Sequence, residues 1–233
     1  MVYFTYMKKF LIIGFVAFGI NPQALEIYSD LYNDTELFPS PLQKGQIELK
    51  YDSGIPYVIV AFNNGVDMWV GNDFDTTEHS TGYPRIDSIR LYCYDAWPPP
   101  AGFDGSYLAI YNYSNGAPGD ILWPADSNPM WIVPSDNGFQ DFTVDWQTTT
   151  RTFVTANNQY NDYPNCDPFL TDDNLVDQNH SWVASGSTWL RFKDNDSLQD
   201  TTNGYNNLMM RVIITPSTDI ESSSLGGIKS MYR

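Results

Sequence analysis

Residues 106–123, SYLAIYNYSNGAPGDILW, decide the fold. Leu108 and Ile110 alternate with Tyr107, Ala109, Tyr111 and Tyr113, which is the two-residue period of a strand whose side chains point to opposite faces. A turn and a second short strand follow. The Leu108/Ile110 face is predicted to be core. The Tyr107/Tyr111/Tyr113 face is predicted to be a second packed or contact surface rather than the ligand site itself.

Strand signals recur outward from this stretch every ten to twenty residues. QIELKY (46–51) alternates, and IPYVIVAF (55–62) is apolar on both faces, as a central strand is. Asn63-Asn64-Gly65 tolerates positive φ and predicts a hairpin into VDMWVG (66–71). IDSIRLYCY (86–94) sets Ile89, Leu91 and Cys93 against Arg90, Tyr92 and Tyr94. Then come MWIV (130–133), FTVDW (142–146), RTFVTA (151–156), SWVA (181–184), TWLRF (188–192) and LMMRVIIT (208–215). About a dozen short strands with Gly, Pro and Asn turns and no convincing helix predict an all-β fold. The architecture expected is an antiparallel β-sandwich, jelly-roll-like, as a single domain over 25–216 with long loops.

Of 28 acidic residues only five are glutamates, and the formal net charge of −16 repels polyanions, which argues against nucleic acid as a partner. MKKFLIIGFVAFGINPQALE (7–26) has Lys8 and Lys9 before an apolar run and a short polar stretch to Ala24. That is the layout of a secretory signal peptide over 1–24, and it is too short for a comfortable membrane span. The expected location is therefore secreted or cell-surface, with no membrane span in the mature chain. In an oxidising compartment Cys93 and Cys166 allow one disulfide; two unpaired thiols are the alternative.

Residues 157–180 read as a long polar insertion, and loops of this length carry function more often than average. Asp162, Asp167, Asp172, Asp173 and Asp177 lie in or near it. DNDSLQD (194–200) places Asp194, Asp196 and Asp200 at loop spacing. Calcium is one reading of each group and a solvated acidic turn the other, the second loop lacking the glycine and closing glutamate of a calcium loop. No other cofactor is expected. Nucleophile elbow, zinc-protease, phosphate-loop and dinucleotide motifs are all missing, and the few glutamates are not spaced as a catalytic pair, so a non-enzymatic protein is expected.

Aromatic residues make up 15% of the chain. Rings laid against sugar faces, framed by Asp and Asn, are how small sandwiches hold glycans, although most rings in such a fold fill its core. Trp97 stands apart because DAWPPP is a proline-stiffened loop, where an exposed ring needs a reason. The ligand site expected from the loops is Tyr94, Trp97, Phe103 and Asp104, with Tyr160, Tyr163 and Asp172 from the insertion.

The run from IDSIRLYCYDA through GSYLAIYNYSNGAPGDILW to FTVDW resembles a loosely defined set of β-sandwich modules in exported bacterial proteins, often placed before cell-surface anchoring signals. In those, a strand L-x-I-Y leads into an N/D-G-x-P-G turn, here Leu108, Ile110 and Tyr111, then Asn115, Gly116, Pro118 and Gly119. The resemblance spans roughly 45–215 and implies a secreted jelly-roll-like domain. No catalytic residue carries over from it. Residues 217–233 form a Ser-rich linker and the tail LGGIKSMYR, which resembles the short apolar-basic ends of exported proteins that use C-terminal sorting. The function expected is a carbohydrate-binding or adhesive module whose partner is a polysaccharide or cell-envelope component. The alternative is a structural envelope protein, a surface-layer or filament subunit that self-associates.

Overall fold

The computed structural model describes residues 40–62, 68–94, 105–161, 166–173, 179–194 and 207–217, and the strand at 25–28, with backbone alone at 25–28 and 57–59. The leader predicted over 1–24 and the tail beyond 217 lie outside these residues. Fourteen strands are present among the described residues: β1 Leu25–Tyr28, β2 Ile47–Leu49, β3 Pro56–Phe62, β4 Met68–Asp75, β5 Arg85–Cys93, β6 Ser106–Ser114, β7 Ala117–Trp123, β8 Met130–Ile132, β9 Gly138–Gln147, β10 Thr152–Gln159, β11 Phe169–Asp172, β12 Ser181–Ser185, β13 Thr188–Arg191 and β14 Met210–Thr215. One 3-10 turn, Phe192–Asp194, follows β13.

The protein is an all-β, sandwich-like molecule of antiparallel sheets. The large sheet runs β13-β12-β4-β10-β6-β7, with β8 also paired to β6; it faces a four-stranded sheet, β2-β14-β5-β9, and a third, β1-β3-β11, adjoins them. β3 is central in its sheet, as its apolar run predicts. It does not form a hairpin with β4, because the two strands belong to different sheets; residues 63–67 between them lie outside the described set.

The decisive hairpin has the expected form. Ser114 pairs with Ala117, and the two residues between them, Asn115 at φ 55° and Gly116 at φ 82°, make the tight turn whose twist matches the strands. Leu108 and Ile110 are fully buried between the two main sheets, with Val70, Phe74, Phe153, Ile86, Ile89, Val212 and Ile214. At about 25 cal/mol per Å² of apolar surface, burial of this layer is the main stabilising contribution to the fold.

The opposite face of the large sheet is a second core. Gly71, Ala156 and Ala109 stand side by side on β4, β10 and β6. A Cβ on residue 71 would come to 2.4 Å from the Thr155 carbonyl oxygen, so only glycine fits there. Above this small-residue floor the sheet curls until β13 touches β7. Tyr111 meets the edges of Trp69 and Trp189 at centroid distances of 5.7 and 5.2 Å, and Tyr113 meets Trp182 at 6.1 Å. Tyr111 and Tyr113 are therefore packing residues, as predicted for their face; Tyr107 is different.

Part of the expected polar insertion is a strand. β10 continues to Gln159, and β11 is buried along its whole length because it seals the sandwich beside β3. Two poles result. Ser106, Asn157, Cys93 and Phe169 meet around one small cavity at the first pole. At the other, Thr215 pairs with Arg85, and Ser217 is clamped: its amide donates to Ser80 Oγ, and its carbonyl accepts from Ser80 Oγ and the Gly82 amide.

Candidate ligand-binding face

Three strands bring three rings together at the first pole. Register places Trp131 of β8 directly opposite Tyr107 of β6, and β10 ends at Gln159, immediately before Tyr160. The rings pack edge to face, Tyr107 to Trp131 at 5.0 Å, Tyr107 to Tyr160 at 5.9 Å and Trp131 to Tyr160 at 4.8 Å. Such contacts are worth about 0.5–1.5 kcal/mol each beyond burial and fix the rings without covering them. Trp131 and Tyr160 both remain 42% exposed.

Trp131 is held from behind by Gly105, whose φ of +81° suits glycine. A Cβ there would lie 2.6 Å from Trp131 Cζ2 and 2.7 Å from the Ile132 carbonyl oxygen. The Gly105 amide donates to Asp167 Oδ2 at 3.4 Å, tying the segment before β11 to the back of the platform. Burial, reinforced by Asp167, pushes the Cys93 thiol well above its ordinary range, so it is kept protonated.

A second cluster centres on Asp73 of β4. Its Oδ1 accepts from Trp182 Nε1 at 2.6 Å and from Arg191 at 2.9 Å, and its Oδ2 lies 2.8 Å from His180 Nδ1. The Arg191 guanidinium stacks 4.1 Å from the Trp182 ring centre, donates to Tyr113 Oη at 2.9 Å and also bonds the Asn179 carbonyl. His180 stacks face to face on Tyr51 at 3.8 Å. Burial, with Asp73 and Asp75 nearby, pushes the Tyr51 hydroxyl up; burial alone pushes Tyr111 up to about 12. Both carboxylate oxygens of Asp73 are committed to neighbours in the fold, so the carboxylate positions the surrounding rings.

The expected site residues fall into three groups. Tyr160 belongs to the ring triad. Trp97, Phe103, Asp104 and Tyr163 lie outside the described residues. Tyr94 and Asp172 take structural places instead. Tyr94 packs with Tyr92 and Phe139 against Leu170 and Met209 on the outer side of the four-stranded sheet. Asp172 is fully buried: Oδ2 accepts from the Ser53 amide at 2.7 Å and Oδ1 from the Asn207 amide at 2.7 Å. Its carboxylate thus pins three chain segments and is closed to a ligand; burial raises its proton affinity.

Asp194 is exposed at the end of the 3-10 turn, while Asp196 and Asp200 lie outside the described residues. Among the described residues no group of three or more His, Cys, Asp or Glu is placed to hold a metal ion. Cys93 and Cys166 are both buried and no disulfide joins them. Among the described residues no helix is long and apolar enough to cross a membrane.

Sequence reasoning missed Tyr107 and Trp131 as site residues. Met130 and Ile132 point to the core while Trp131 and Val133 are exposed, so the alternation of MWIV carried the signal for the tryptophan. The pairing of β8 with β6, which makes a platform of it, is not a local property.

No family model and no curated protein matches the chain. Solved structures do. The crystal structure of the cysteine protease and lectin-like domains of Cwp84, a surface layer associated protein of Clostridium difficile, matches with a TM-score of 0.54 and 11% identity, over 76% of this chain and 37% of that one. Clostridial Cwp84 after propeptide cleavage matches with a TM-score of 0.53 and 12% identity, over 76% and 42%. This chain thus spans about two fifths of the proteins it matches. At such identity the likeness is one of fold, and it places the chain among all-β, sandwich-like modules.

Proposed function

We propose that this protein is an exported, surface-displayed, non-enzymatic β-sandwich that binds glycans through the face formed by Tyr107, Trp131 and Tyr160. The observation that carries this is the exposure of a tryptophan and a tyrosine, braced against each other and against a glycine, at a pole of an otherwise well-filled sandwich. Rigid, half-exposed rings give a sugar face a large apolar contact at small entropic cost. The leader-like start of the chain supports export, and a fold shared with a protein described as having a lectin-like domain supports the ligand class.

The test is retention of the purified full chain on insoluble polysaccharides and on a glycan array. Trp131→Ala and Tyr160→Ala are expected to weaken retention about tenfold each, as hot-spot aromatics do. Tyr83→Ala is the control, since Tyr83 is exposed just before β5, at the opposite pole. Equal loss in all three variants, or retention nowhere together with concentration-dependent assembly of the chain, would replace this function with that of a structural envelope subunit.

A further inference from the structure

We infer that the ring platform selects uncharged polysaccharide and rejects anionic polymers; this deepens the glycan-binding proposal and rests on it. The three strands that build the platform are SYLAIYNYS, MWI and TFVTANNQ, and none of them contains a lysine, arginine, aspartate or glutamate. Tyr160 and Asn161 extend the last of these without adding a charge. A ligand on this surface meets ring faces, amides and hydroxyls. None of these offers the bidentate cation that carboxylate, sulfate or phosphate groups require.

The described arginines do not supply that cation, and the described lysines are not on the platform strands: Lys44 precedes β2, Lys50 follows it and Lys193 lies in the 3-10 turn. Arg90 is held by Glu48 and Asp141, Arg191 by Asp73, and Arg211 by Asp52 and Glu48. Arg85 pairs with Asp87 and Asp145 at the opposite pole. Arg151 is at that pole too, since its carbonyl accepts from the Thr76 amide beyond the end of β4. Among the described residues a carboxylate, Asp167, lies behind the platform and accepts from the glycine under Trp131.

A chain of formal charge −16 therefore surrounds a platform whose described strands carry no charge with a negative field. An anionic polymer loses hydration at the patch and gains no counter-charge, whereas a neutral glycan loses nothing to the field. The apolar and hydrogen-bonded contacts that remain are insensitive to salt.

The experiment measures retention of the full chain on a neutral β-glucan, on polygalacturonate and on chitosan, from ~50 mM to ~500 mM NaCl. Expected is retention on the neutral polymer that changes less than about twofold across this range and falls about tenfold in Trp131→Ala. Polygalacturonate is expected to retain nothing at either salt. Retention on polygalacturonate, or retention confined to chitosan and lost with salt, overturns the selectivity while leaving glycan binding standing. Retention on no polymer, with an empty glycan array, refutes the underlying proposal and this one with it. Circular dichroism of the variant in the aromatic region confirms that a lost signal comes from the platform and not from unfolding.

Discussion

Arg90 and Arg211 stand directly opposite each other across the β5–β14 ladder, two like charges at a cross-strand pair, each only 2–3% exposed. Such a pair is destabilising unless both charges are answered. Glu48 answers both at once, with Oε1 2.6 Å from Arg90 and Oε2 3.3 Å from Arg211. Asp141 completes the first and Asp52 the second, while Phe139 lies 3.8 Å under the Arg211 guanidinium. Glu48→Gln keeps the shape and removes the shared charge. It is expected to destabilise the fold by about 3 kcal/mol, as loss of one partner from a buried ion pair does. Urea denaturation of the variant and the parent at matched pH measures the difference.

Gly105→Ala forces a methyl group into the Trp131 ring and the Ile132 carbonyl, at a φ that favours glycine. The expected outcome is a shift in Trp131 fluorescence and a loss of glycan retention comparable to Trp131→Ala, although the ring is still present. A loss of stability of about 1–2 kcal/mol accompanies it from the left-handed backbone alone. Unchanged fluorescence would show that the platform does not depend on this glycine.

Asp73→Ala strips Trp182, Arg191 and His180 of a common acceptor. Arg191 is then left with neutral partners in a site where its side chain is only 16% exposed. A loss of about 3 kcal/mol is expected from this break. The triad lies on other strands, so retention by whatever fraction remains folded is expected to be unchanged. Thermal melts and retention assays on the same preparation separate the two effects.

Tyr111 gives the molecule an alkaline limit. Its hydroxyl ionises at about 12 in the fold, against an ordinary value near 10, because burial disfavours the phenolate. A group whose folded value is raised contributes stability that is complete below the unfolded value and is lost as pH climbs through the folded one. Stability is therefore expected to decline between about pH 10 and 12. Tyr111→Phe is expected to flatten that decline, which denaturation midpoints at pH 9 and pH 11 resolve.

The hairpin at 106–123 was legible because its information is local: period-two alternation and an Asn-Gly turn are both written in consecutive residues. β11 was not legible. Its four residues are buried on both faces and one of them is Asp172, so a polar residue with private partners on Ser53 and Asn207 looks in sequence like part of a loop. The burial of Arg90 and Arg211 is equally invisible, since their alternation with Leu91 and Val212 marks an outward face but not the carboxylates that close over it. For the candidate face, the sequence names Tyr160 through its place in the 157–180 segment, and the structure sets it beside Tyr107 and Trp131. Trp131 needed β6 as the partner of its own strand and Gly105 beneath its ring, both of which lie well before it in the chain.

Ser217, fastened to Ser80 and Gly82, fixes where the chain departs. The strands of the large sheet separate that point from the ring triad by about 25 Å, the length of eight extended residues such as those of β10. Ser217 itself is therefore held at the pole away from the rings. A reporter or matrix joined there leaves the rings facing outward, whereas β1 begins with Leu25 opposite Phe62, whose amide is held by Gln159 next to Tyr160. Attachment at the Ser217 pole is therefore expected to keep the ring face on display.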